Sequence, residues 1–209
     1  MSTKKNAIAI AQARLNNLSL IVKPSGIQGE DILHDASETV SPGNGVFTTH
    51  AISKDEYISY YTGWIINYTD YRRLKRLNAH SHFMTLSKMR ECIMGVETQD
   101  ELSHFPVDER GLCSFINHSN SPNAESVIID GHVLFRALKN IPTNHEIFIS
   151  YGKYYWEQSY IRDAGADRFR REIMSKPSNK TTFTLAERRS TRRGGRRKNK
   201  RTRRKKLVG

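Results

Sequence analysis

Only two of the 209 residues are cysteine, Cys92 and Cys113, and they do not fall in a C-x-x-C pair. That excludes a disulfide framework and a thiolate zinc site, and leaves buried free thiols as the expectation. The chain has no run of eighteen apolar residues, so no membrane-spanning helix is expected. Its start carries Lys4 and Lys5 before a brief Ala/Ile stretch at 7–13, which lacks the layout of a secretory signal. A soluble intracellular protein with no membrane partner is the reading. His80, His104, His132 and His145 show no helical i, i+4 pairing, and His80 with His82 is the one short H-x-H, so no metal site is expected.

What the chain has in excess is positive charge, and its location matters more than the net +13. Of the 34 Lys and Arg, 13 fall in the 19 residues 188–206, which contain no acid; the remaining 21 balance the 21 Asp and Glu of the body. A run holding Arg192, Arg193, Arg196, Arg197, Lys198, Arg201, Arg203 and Arg204 cannot bury an apolar face, and the expectation is a disordered tail. DNA or chromatin is its natural partner through salt-sensitive phosphate contacts. The same composition also reads as a nuclear import signal, or as a solubilising tail.

The body is long enough for one domain with its own core. An apolar run at 18–23 predicts a first strand, and the turn formers Ser41, Pro42, Gly43, Asn44 and Gly45 feed a second at 46–49. Residues 57–66, rich in Tyr and Ile, predict another, after which Thr69 caps a short helix carrying Tyr71, Leu74 and Leu77. Further strands are predicted at 83–86, 91–94, 126–129, 132–137 and 146–150. The pattern turns helical over 154–174, with Gly165 as a breaker, and 175–184 reads as a linker into the tail. The fold class is therefore mostly β with short helices, an α+β arrangement.

Chemistry gathers in a few blocks. Gly43-Asn44-Gly45 before a strand serves a ligand loop or an ordinary hairpin equally well. Phe115-Ile116-Asn117-His118-Ser119-Asn120-Ser121-Pro122-Asn123-Ala124 brings three Asn and a His into ten residues after an apolar start, enough to deliver several hydrogen-bonding groups to one buried place. Glu146-Ile147-Phe148-Ile149-Ser150-Tyr151-Gly152 follows, ending in Tyr154-Tyr155-Trp156.

In this order, and with Tyr61-Thr62-Gly63 between the first two, the blocks resemble the SET-domain methyltransferases over 18–156, and the spelling near the end is similar to the minimal SET proteins of large DNA viruses. The resemblance implies a SET domain at 18–157, a β-clip with a threaded pseudoknot, between an N-terminal segment 1–17 and a helical extension 158–174, with linker and tail at 175–209. It implies an S-adenosylmethionine-dependent protein lysine N-methyltransferase acting on histones in the nucleus, a host nucleus or virion if viral, and it allows a homodimer.

By the same resemblance Asn44, Gly45, Val46, Asn117, His118 and Trp156 line the cofactor. Tyr61 is either their neighbour or a core aromatic. Asn120 stands where many relatives place a zinc-binding cysteine, so no zinc is implied. Tyr151 is the implied catalytic residue, against the bland reading of a packed strand-end aromatic. His82 falls where relatives line the lysine channel with Tyr, and serves either as a hydrogen-bonding channel wall or as an edge-strand histidine. Ile149 occupies the product-tuning position and, lacking a hydroxyl, permits di- or trimethylation. The rival class is a chromatin- or nucleic-acid-binding protein whose SET scaffold is inactive.

Overall fold

A computed structural model describes residues 2–26, 43–79, 82–87, 91–152, 155, 163, 165–176 and 180–181. Among these, besides two single 3-10 turns at Val107–Glu109 and Cys113–Phe115, the chain forms ten short strands and four α-helices. They are α1 (Ser2–Asn17), β1 (Leu20–Pro24), β2 (Asn44–Thr48), β3 (Tyr57–Tyr60), β4 (Gly63–Asn67), α2 (Tyr68–Arg76), β5 (Phe83–Ser87), β6 (Glu91–Gly95), α3 (Gln99–Ser103), β7 (Asn117–His118), β8 (Ala124–Ile129), β9 (His132–Ala137), β10 (Phe148–Ile149) and α4 (Ala166–Met174). The expected α+β class, mostly strand, is what the chain adopts. The strands make four small sheets: β1 with β2, β3-β9-β8, β4-β6-β5, and β7 beside β10. Only the last pair is parallel.

The stretch read as one strand, 57–66, is two. At Tyr61 the chain bridges to Leu112, and the Thr62 hydroxyl donates to the Glu109 carbonyl while accepting from the Gly111 N–H. These contacts take the chain out of the β3-β9-β8 sheet and into β4-β6-β5. Strand propensity does not reveal such a switch, because every residue stays extended. The expected strand 146–150 shortens for a similar reason. Glu146 bridges to Phe47 of β2 and the Ile147 N–H donates to the Val46 carbonyl, and only then does the chain pair with β7.

The helix after β4 is capped by Asn67 rather than Thr69: the Asn67 side-chain oxygen accepts from the Asp70 N–H at 2.9 Å. Within the helical pattern at 154–174 the helix α4 begins at Ala166, directly after the expected breaker Gly165, and residues 154, 156–162 and 164 lie outside the described residues. Two helices were not expected. α1 escapes a periodicity reading because Ala9, Ile10 and Ala13 pack inward on Tyr60 and Leu134 while Ile8 and Leu15 stay exposed. α3 had a signal: Thr98, three residues before Glu101, accepts from the Glu101 N–H as an N-cap.

Two cores result. Val46, Ile58, Ile93, Ile116, Phe135 and Ile147 fill the first, beneath the motif blocks. Trp64, Leu74, Met94, Phe105, Phe169 and Ile173 fill the second, so α4 is packed against β4 and α2 rather than attached at the surface. Burying side chains of this size stabilises by about 1.5–3 kcal/mol each. The guanidinium of Arg73 lies 3.8 Å over the Phe169 ring and helps to seal that contact.

Candidate active site

β10 pairs in parallel with β7, which sets Phe148 opposite Asn117 and Ile149 opposite His118. The Asn123 side chain locks the crossing, donating to the Glu146 carbonyl at 2.8 Å and accepting from the Phe148 N–H at 2.8 Å. The two motif blocks are thereby held side by side, 29 residues apart in sequence at Asn117 and Glu146.

Tyr151 follows β10 directly. Its hydroxyl donates to the Ile116 carbonyl at 2.8 Å, and its N–H donates to His118 Nδ1 at 3.1 Å. With Nδ1 accepting, the neutral His118 ring carries its proton on Nε2, which faces Asn120 Oδ1 at 3.2 Å. The Tyr151 ring also meets that of Tyr155, with centroids 4.4 Å apart. Gly152, at φ +81°, turns the chain away in a conformation that glycine adopts without strain.

A second knot lies at Glu146. Its buried carboxylate accepts from the Ser25 hydroxyl, 2.8 Å from one oxygen and 3.0 Å from the other, from the Gly26 N–H at 3.3 Å and from the Asn117 amide at 3.0 Å. The same amide reaches the Asn44 carbonyl at 3.1 Å. Gly45 is required here, because a Cβ on it would sit 1.9 Å from Glu146 Oε1.

These elements wall a cavity of about 390 Å³. Of the residues expected at the site, Asn44, His82, Asn117 and Tyr151 line it together. His118 and Ile149 stand behind them as supports, and Val46 is fully buried in the core. Tyr61 is a core residue in geometry, stacked on Phe135 at 6.4 Å and buried against Gly95. Burial, with Tyr151 close by, pushes its hydroxyl well above the ordinary phenol range. Trp156 and the basic residues of the tail lie outside the described residues.

Phe115, which opens the motif block, also lines it, and four lining residues were missed by the sequence reading: Glu97, Thr98, Gln99 and Ser114. The first three lead into α3, whose capping signature was legible; Ser114 immediately precedes the motif block. The Ser114 hydroxyl is buried and has no hydrogen-bond partner, an orphan on the wall of the cavity. Behind the wall, Arg170 of α4 is almost completely buried, 3.1 Å from Glu97 and 3.0 Å from Glu101. Glu97 in turn lies 3.5 Å from His82 Nδ1. A larger cavity of about 670 Å³, lined by Arg73, Arg76, Arg168 and Glu172, holds none of the motif residues. Among the described residues, no group of three His, Cys, Asp or Glu is placed to hold a metal ion, and no helix is long and apolar enough to cross a membrane.

The fold and the crossed motif blocks define a class, and residues 43–152 match the family model of the SET domain. The chain belongs to the SET-domain family. Among curated proteins it is similar to the histone-lysine N-methyltransferase mes-4 of Caenorhabditis elegans, 31% identical over 140 residues, or 60% of this chain. The chain spans 15% of the length of that relative. Among solved structures it is similar to a ctPRC2 in an autoinhibited conformation bound to S-adenosylmethionine, at 21% identity and a TM-score of 0.46, covering 64% of this chain and 15% of that one. A humanized mutant of the Chaetomium thermophilum Polycomb Repressive Complex 2 matches with 22% identity and a TM-score of 0.45, over 64% of this chain and 15% of its own.

Proposed function

We propose that this chain is an S-adenosylmethionine-dependent protein lysine N-methyltransferase that acts on histones in the nucleus, with the 188–206 run contacting DNA or chromatin. Tyr151 carries the reading: its hydroxyl proton is committed to the Ile116 carbonyl, on the wall of a cavity shared with Asn44 and Asn117. A phenol oxygen whose proton is spent in this way presents its lone pairs as acceptors, which is what an amine needs to be held in line for attack.

The residues present fit the cofactor. The cavity offers neutral polar groups, an orphan Ser114 hydroxyl and the aromatic rings of Phe115 and Tyr151, and the missing side chain at Gly45 lets Glu146 and Asn117 close behind it. Asn44, Gly45, Asn117 and His118 would hold the cofactor, and the Ser114 hydroxyl is the unpartnered donor on the same wall. When bound, the cofactor supplies an electrophilic methyl on a sulfonium. Tyr151 orients the incoming amine, Phe115 keeps water from it, and the Glu146 carboxylate fixes Asn117. Ile149, buried and without a hydroxyl, leaves room for a second and third methyl group. Descent from a layout like that of the minimal viral SET proteins, and pairing of two copies, belong to this same proposal.

The experiment is a histone peptide array with labelled methyl donor, read by mass spectrometry, with Tyr151→Phe as control. Transfer to lysine that is lost in the variant is the expected result, with di- or trimethylated product at saturating donor. An array with no product from the wild-type chain would overturn the reading.

A further inference from the structure

α2 and α4 lie together over the second core, and the cavity of about 670 Å³ between them is walled by arginine. Arg73 and Arg76 reach it from the last turn of α2, and Arg168 from the first turn of α4. All three are exposed, and among the described residues no carboxylate pairs with any of them. Arg14, Arg136 and Arg170 elsewhere in the body each meet one. Glu172 is the one acid among the described lining residues, and its carboxylate lies 3.9 Å from Lys176. Asp163 and Asp167, close in sequence, do not line the cavity. Gly165 lines it where α4 begins, and no side chain caps that positive end of the helix. The opposing end of α2 is satisfied, because the Leu77 carbonyl accepts from the Asp163 N–H at 3.2 Å.

Three guanidiniums on one cavity repel one another, and an anion among them turns that repulsion into charge-assisted hydrogen bonds. The arginine fork fits a carboxylate or a phosphate with two parallel bonds. A phosphate monoester carries about −1.5 to −2 charge and three acceptor oxygens, enough for all three arginines, whereas a carboxylate has two oxygens to share. Arg73 is positioned in advance, because its guanidinium stacks 3.8 Å over the Phe169 ring. The same stacking disfavours a single-stranded nucleic acid or a nucleotide, whose bases need an open aromatic face: Phe169, the one lining ring, is covered by Arg73. A cavity of about 670 Å³ has room for far more than a phosphate, and Leu77 adds apolar surface for a neighbouring residue. We propose that the α2–α4 cavity is a docking site for a phosphorylated serine or threonine in a peptide segment of a partner protein. The phosphate meets Arg73, Arg76 and Arg168, and the residue beside it rests on Leu77. α4 also carries Arg170 to Glu97 and Glu101, so the partner is fixed to the helix that backs the catalytic cavity.

The test uses the full chain and an alanine pentapeptide with phosphoserine at its centre, read by fluorescence anisotropy at physiological salt. The phosphopeptide binds at least about tenfold more tightly than the same peptide with plain serine. Arg76→Gln combined with Arg168→Gln abolishes that difference. Neither side chain makes a contact that supports the fold, so the melting temperature of the double variant stays within about 2 °C of the wild type. Its affinity for a short duplex DNA, assigned above to the 188–206 run, changes by less than about twofold. In 15N–1H NMR of the wild type the phosphopeptide shifts the Gly165 and Arg168 amides. Equal phosphopeptide affinity in wild type and double variant would overturn the inference. So would a loss of DNA affinity as large as the loss for the phosphopeptide, which marks a general polyanion surface. Inorganic phosphate bound as tightly as the phosphopeptide would overturn the peptide as its source. None of these readouts involves methyl transfer, so failure here leaves the function proposed above standing.

Discussion

Gly45→Ala puts the smallest side chain where the structure has least room. The new Cβ would stand 1.9 Å from Glu146 Oε1, 2.6 Å from its Cδ and 3.1 Å from Asn117 Nδ2. Restoring ordinary contact requires the carboxylate to retreat by about 1.5 Å, which carries its oxygen beyond hydrogen-bond reach of its donors. The bonds at stake are those from Ser25 at 2.8 Å and Asn117 at 3.0 Å. Each bond to a charged acceptor is worth about 1.5–3 kcal/mol, so with partial relaxation Gly45→Ala destabilises by about 3 kcal/mol. For a chain of this size that is a fall in Tm of roughly 6–12 °C, read by circular dichroism. Glu146→Ala removes the same bonds and costs a similar amount. The double variant is left with only the close approach to the Asn117 amide, which can shift once the carboxylate is gone, so it is no less stable than Glu146→Ala by more than about 0.5 kcal/mol. Additive losses in this cycle would refute the clash as the cause.

Other consequences are equally direct. Arg170→Met removes the buried guanidinium that Glu97 and Glu101 both face and destabilises the fold by about 3–5 kcal/mol, measured as the urea midpoint. Stability also falls in alkali. Burial pushes the Cys113 thiol and the Tyr61 phenol well above their ordinary values, so the folded chain keeps protons that the unfolded chain releases. The contribution is full below about pH 8.5 and is lost as pH rises through the alkaline range, so urea midpoints are level from pH 7 to 8 and decline above about pH 9. Deleting 188–209 abolishes DNA binding whose log Kd rises steeply with log salt, seen by fluorescence anisotropy, and leaves peptide methylation within about twofold.

The order of motif blocks, the neutral body with its basic tail, the mostly β class and the position of β9 at 132–137 were all legible in the sequence. The resemblance that the blocks carry also named Asn44, His82, Asn117 and Tyr151, which the structure sets on one cavity. These features depend on composition and on side-chain patterns within a few residues, where propensity and turn chemistry act. Contacts between distant segments were not legible. The sheet switch at Thr62 depends on Glu109 and Gly111, and the orphan Ser114 hydroxyl is recognised only once the cavity beside it exists. Arg170 meets Glu101 across 69 residues and joins α4 to the wall behind His82, although its own segment reads as an ordinary charged helix. The sequence by itself thus determined which chemical groups the chain brings. Only the tertiary structure decided which of them share a cavity and which charge stands behind which ring, because pairing over such separations is set by how whole elements pack.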